Sequence, residues 1–145
     1  MTTEKSDSIG LWIAAGVAIG FGALTIVSGG LALFGGPAAQ SAAGNAVPFV
    51  LWFNFLSGFV YVVAGAGIAL RKPWGATLAM PLALAILAVF ALLGWHIYRG
   101  GAYEMRTVGA MVLRAAVWIA ISLFLVRLHR ASSPRLEALP RHKRP

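Results

Sequence analysis

The segment that decides the fold is residues 107–128, which read TVGAMVLRAAVWIAISLFLVRL. A helix of about 20 mostly apolar residues is long enough to cross a bilayer. Three further segments, residues 9–34, 47–70 and 74–98, meet the same criterion. The sequence therefore predicts an all-α fold, an integral membrane bundle of four helices.

The composition agrees with one membrane domain and leaves little chain for a soluble one. Of the 145 residues, 59% are hydrophobic and 11% are charged, whereas a soluble domain averages about 25% charged residues. We expect a membrane domain over residues 9–128, a polar tail at 1–8 and a basic tail at 129–145, with disorder over 131–145. Residues 35–46 read as a loop. The chain has no cysteine, which excludes disulfides and thiolate metal sites.

Lysine and arginine are distributed unevenly between the two sides of the predicted bundle. The side with both termini would carry nine of them: Lys5, Arg71, Lys72, Arg127, Arg130, Arg135, Arg141, Lys143 and Arg144. The other side would carry two, Arg99 and Arg106. Because basic loops stay in the cytoplasm, we expect an inner-membrane protein with both termini cytoplasmic. The net charge of +8 then reflects orientation and attraction to anionic lipids, and we expect no nucleic-acid partner.

Glycines in the first segment give two interpretations. Gly16 and Gly20 form a GxxxG pattern, which lets the backbone of another helix approach closely. Glycine is also common in membrane helices that make no such contact, so both interpretations stay open here.

Arg114 lies about 10 Å inside the fourth segment at 1.5 Å per residue. Its side chain either leans toward the outer surface or faces the bundle, where it would pair with Asn54, with Glu104 or with an anionic ligand. Asn54 lies at a similar depth in the second segment. It either bonds a neighbouring helix or contributes to a ligand site.

Further polar residues fall near the outer ends of the segments and complete one candidate ligand-binding cluster. Its members are Asn54, His96, Tyr103, Glu104, Arg106 and Arg114. No catalytic motif and no metal-binding motif is present, although His96 with Met105 and Met111 would suit copper. We expect no resident cofactor, and a quinone headgroup is the cofactor that this mixture of donors would fit.

Two stretches, 53–61 (FNFLSGFVY) and 101–108 (GAYEMRTV), have the character of family signatures. With the basic turn at Arg71-Lys72 and the turn at Gly100-Gly101, the layout resembles small bacterial inner-membrane proteins of the DoxX-like type. That resemblance implies a four-span inner-membrane protein, and some proteins of this type accompany redox complexes that use quinone.

Three functions stay open: a non-enzymatic accessory or subunit of a membrane complex, a quinone-linked redox component, and a small transporter or channel subunit. The expected partners are the lipid bilayer and either another membrane protein or further copies of the chain.

Overall fold

The computed structural model describes residues 2–137, and within that range the regular structure is entirely helical. The five helices are α1 (Thr2–Phe34), α2 (Gly36–Ala43), α3 (Pro48–Ala69), α4 (Pro73–Tyr98) and α5 (Met105–Glu137). Four of them, α1, α3, α4 and α5, contain stretches long and apolar enough to cross a membrane. The predicted all-α bundle of four long apolar helices is confirmed, and it fits a small multi-pass membrane protein.

The helices extend further than the hydropathy pattern indicates. Helix α1 begins at Thr2, within the predicted polar tail, and α5 continues to Glu137. The predicted disorder is therefore wrong for 131–137, while residues 138–145 of the basic tail lie outside the described residues. A helix can continue past the bilayer because its backbone hydrogen bonds are internal to it. Hydropathy reports only the part that contacts lipid.

The predicted loop at residues 35–46 contains α2, so that prediction is wrong for 36–43. Pro37 lies in the first turn of α2, where the missing N–H of proline costs nothing. The alanines that follow have the highest helix propensity of any residue type. Gly44 ends the helix with a φ of 61°, a left-handed conformation that glycine adopts readily.

Neighbouring spans pack in chain order, α1 on α3, α3 on α4 and α4 on α5. The bundle consequently has two distinct ends. We call the end with the connections 35–47 and 99–104 the loop end. We call the end with the start of α1, the turn at 70–72 and the last part of α5 the terminal end.

Helices α1 and α3 approach each other through glycine. A Cβ added to Gly22 would lie 2.8 Å from the carbonyl oxygen of Gly58, closer than real Cβ atoms come to other atoms. Gly16 and Gly20 behave differently, because a Cβ at either would have no described atom of another helix within 4 Å. Within this chain, the GxxxG pattern therefore does not mark a helix contact.

Tryptophans mark both ends of the bundle. Trp12 and Trp74 are exposed at the terminal end, and Trp52 and Trp95 are exposed at the loop end. Trp74 and Trp95 both belong to α4, and at 1.5 Å per residue they are about 32 Å apart. The hydrocarbon core of a bilayer is about 30 Å thick, so these side chains lie where interfacial aromatic residues are expected.

Candidate functional site

A cavity of about 250 Å³ lies at the loop end between α1, α3 and α5. We call it the loop-end cavity. Its walls combine small apolar side chains with polar ones from four segments of the chain. The polar residues that line it are Thr25, Ser28, Asn54, Glu104, Arg106, Thr107 and Arg114.

Arg114 is buried in the bundle and lines this cavity. Only 7% of its surface is exposed, so its side chain packs among the other helices of the bundle. Its guanidinium carbon lies 5.8 Å from the ring centroid of Phe21 on α1, within range of a cation–π contact. Its Nε and Nη1 have no hydrogen-bond partner among the described residues. These two nitrogens therefore do not form the bond to Asn54 or Glu104 that the bundle-facing interpretation of Arg114 offered.

The position of Arg114 follows from the helical spacing of α5. Met111, Arg114, Trp118 and Ser122 follow one another at intervals of three and four residues, and all four are buried. Such spacing places side chains on one face of a helix. Arg114 is thus held on the inward face by the residues one turn before it and one turn after it.

Asn54 on α3 has the same combination of burial and unused hydrogen-bonding capacity. It is 8% exposed, and its Oδ1 accepts no hydrogen bond from any described residue. Ser57 donates to the backbone carbonyl of Asn54 at 3.0 Å, a bond that does not involve the side-chain amide. Asn54 and Arg114 therefore line one cavity without bonding to each other.

Glu104 and Arg106 connect the mouth of the cavity to α2. The carboxylate of Glu104 accepts a hydrogen bond from the backbone N–H of Asn45 at 2.9 Å. Arg106 Nη2 donates to the carbonyl of Ala42 at 2.8 Å, one of the last carbonyls of α2, which lack partners within the helix. Arg106 thus bonds the end of α2 and Glu104 bonds the segment that follows it, whereas Nε and Nη1 of Arg114 have no hydrogen-bond partner among the described residues.

Two members of the predicted cluster do not join the cavity. His96 lies in a separate surface recess beside Phe49 and Arg99, and its Nε2 donates to the carbonyl of Ala102 at 3.1 Å. Tyr103 is exposed and is absent from the cavity wall. The structure thus brings together Asn54, Glu104, Arg106 and Arg114. His96 belongs to α4, which packs between α3 and α5 and contributes no lining residue to the cavity.

The suggested copper ligands do not converge either. Met111 is fully buried in the core, whereas Met105 is exposed. Neither lines the recess that contains His96.

The sequence reasoning missed the contribution of α1. Thr25 is 3% exposed and lines the cavity, with Ser28 at its edge. A signal was present, because the small residues Ala18, Gly22, Thr25 and Gly29 repeat at intervals of four, three and four. That spacing defines one helix face, and all four residues are buried.

Two aromatic residues pack against each other deeper in the bundle than Arg114 and Asn54. Tyr61 and Trp118 are fully buried, and their ring centroids are 4.8 Å apart. Trp118 lies one helical turn beyond Arg114 toward the terminal end, and Tyr61 lies two turns beyond Asn54. The core of the bundle beyond Arg114 and Asn54 is thus packed with aromatic side chains.

Comparison with protein-family models, with curated proteins and with solved structures found no match for this chain. The resemblance to DoxX-like proteins therefore stays a prediction.

Proposed function

We propose that the protein is a small inner-membrane accessory or subunit that binds an anionic ligand in the loop-end cavity, with Arg114 as the main contact. The observation that supports this most is the burial of the guanidinium with Nε and Nη1 unpartnered. Buried charges are normally paired, because an isolated one costs several kcal/mol. An ionisable side chain within a membrane span is accordingly a candidate functional site. An anion in the cavity would supply the missing partner.

The chemistry of the walls defines the class of ligand. The planar fork of a guanidinium matches a carboxylate or a phosphate through two parallel hydrogen bonds. The hydroxyls of Thr25 and Thr107 and the amide of Asn54 offer further hydrogen bonds from the same walls. A volume of about 250 Å³ is below the usual range for drug-sized ligands, about 300–1,000 Å³. A single carboxylate or phosphate with a short polar body fits this space.

The side of the membrane follows from the basic residues. The excess of lysine and arginine at the terminal end supports cytoplasmic termini, which would place the loop end on the outer side. The ligand would then enter from the outer half of the bilayer, past α2. The hydrogen bonds from Arg106 and to Glu104 would hold α2 beside this entrance.

A quinone headgroup is the second candidate, because the cavity presents hydrogen-bond donors on more than one wall. The quinone carbonyls would accept from Arg114 and from the amide of Asn54. Charge separates the two candidates: a neutral quinone needs donors, whereas an anion needs the positive charge. The Arg114→Gln variant keeps N–H donors and removes the charge, so it distinguishes them.

The test is thermal unfolding of the purified protein in mild detergent with lactate, glycerol 3-phosphate or a short-chain quinone analogue. We expect an anion to raise Tm in the wild type and in Arg99→Gln, but not in Arg114→Gln. Arg99 is a matched control, because it is a cation at the same end that lies over the exposed Trp95. Equal stabilisation of Arg114→Gln by the anions would contradict the proposal. Stabilisation of that variant by the quinone analogue alone would favour the second candidate.

A further inference from the structure

A groove runs along α4 and α5 at the terminal end, opposite the loop-end cavity. It consists of two recesses of about 290 and 480 Å³ that share Pro73, Ala76 and Leu125. The first reaches the turn at Arg71 and Lys72, and the second runs past Met80 and Pro81. Because the two recesses share walls, we treat them as one feature and call it the terminal-end groove.

The groove has a cationic head and an apolar body. Arg71 and Lys72 line the first recess, and Arg130 lines the second. Met80, Pro81 and Val126 line the part that extends into the span. At 1.5 Å per residue, Met80 lies about 10 Å deeper along α4 than Pro73. No described acidic residue lines either recess.

Arg71 is held in place before any ligand arrives. It has a φ of 52° in a tight turn, in which the Lys72 N–H donates to the carbonyl of Gly67 at 2.9 Å. Its Nη2 donates to Ser8 Oγ on α1 at 2.6 Å. A guanidinium has five N–H donors, so the others are available for an anion. Asp7, the acid next to Ser8, is exposed and is not part of the groove wall.

We propose that the terminal-end groove binds one anionic phospholipid. Its phosphate would lie among Arg71, Lys72 and Arg130, and one acyl chain would follow the apolar wall past Met80 and Val126. Charge complementarity and the apolar slot beside it identify this occupant. Basic pockets between membrane helices on the cytoplasmic side bind anionic lipid headgroups in this way. The site is at the opposite end from the proposed ligand cavity and is independent of the function proposed for it.

Native mass spectrometry of the full chain released from detergent tests the proposal. The probes are phosphatidylglycerol, phosphatidylcholine with the same acyl chains, and inorganic phosphate. We expect one phosphatidylglycerol to bind per chain, in preference to phosphatidylcholine. Each cation near a membrane surface strengthens the binding of anionic lipid by about fivefold. Arg130→Gln should therefore weaken the binding of phosphatidylglycerol by about fivefold. The triple variant Arg71→Gln/Lys72→Gln/Arg130→Gln should bind both lipids alike.

Three control variants separate binding in the groove from other effects on lipid binding. Arg127→Gln removes an exposed cation at the same end that does not line the groove, and it should retain the preference. Ala76→Leu fills the groove without changing its charge, and it should weaken the binding of both lipids. Arg114→Gln, which abolishes binding in the loop-end cavity if the proposed function holds, should leave lipid binding unchanged.

The proposal is overturned if Arg127→Gln weakens the binding of phosphatidylglycerol as much as Arg130→Gln does. The lipid would then be attracted by the basic residues of this end in general and not by the groove. It is also overturned if inorganic phosphate competes with the lipid, since the site would then recognise a free anion. If the triple variant fails to fold, the comparison of Arg130→Gln with Arg127→Gln still tests the proposal.

Discussion

Replacing Arg114 by Met should raise the stability of the ligand-free protein, although Arg114 is buried. The side chain has a cation–π contact with Phe21 and no hydrogen bond from Nε or Nη1 to any described residue. On membrane-insertion scales an arginine costs about 2.5 kcal/mol at the helix centre and less at about 10 Å depth, and a charge buried without a partner keeps part of that cost in the folded protein. Losing the cation–π contact costs about 1 kcal/mol. The net gain is about 1 kcal/mol, which corresponds to a Tm higher by roughly 3 °C for a chain of this size.

The assay is thermal unfolding in detergent, followed by tryptophan fluorescence, on protein whose native mass confirms that no ligand is bound. Arg99→Met is the matched control, because Arg99 is exposed at the same end, and it should change stability by less than about 0.5 kcal/mol. Arg114→Met should also lose any stabilisation by the anionic ligand. A Tm lowered by 6 °C or more would refute the reasoning, since a loss of that size indicates that Arg114 already has a partner within the protein.

Three further predictions address the helix contact, the rim of the cavity and the topology. Gly22→Val should destabilise the protein by about 1–3 kcal/mol through overpacking against Gly58, whereas Gly20→Val, which faces open space, should leave Tm within about 2 °C of the wild type. Glu104→Ala should speed amide hydrogen exchange at Asn45, because its N–H loses the carboxylate acceptor; unchanged exchange would show that α2 is held by other contacts. A C-terminal alkaline phosphatase fusion should be inactive and a green fluorescent protein fusion bright. The opposite pair of results would place the C-terminus on the outer side of the membrane.

The long helices could be predicted from the sequence because a bilayer permits few alternatives. A spanning segment must satisfy its backbone hydrogen bonds internally, so four apolar runs of sufficient length leave only four helices. The rise per residue also predicts depth, which is why Asn54 and Arg114 were expected at one level. The spacing of Met111, Arg114 and Trp118 identified a single helix face, and the structure buries that face.

Which polar residues share the cavity was decided by tertiary structure. Lipid tails and the bundle core are about equally apolar, so hydropathy does not distinguish the buried face of a membrane helix from its lipid-facing side. Thr25 entered the cavity because Gly22 and Gly29 bring α1 against α3. His96 was excluded because α4 contributes nothing to the cavity wall, even though it reaches the same end of the bundle. Sequence determined the number, length and depth of the spans, whereas the rotation of each helix about its axis was set by packing between helices that are distant in the chain.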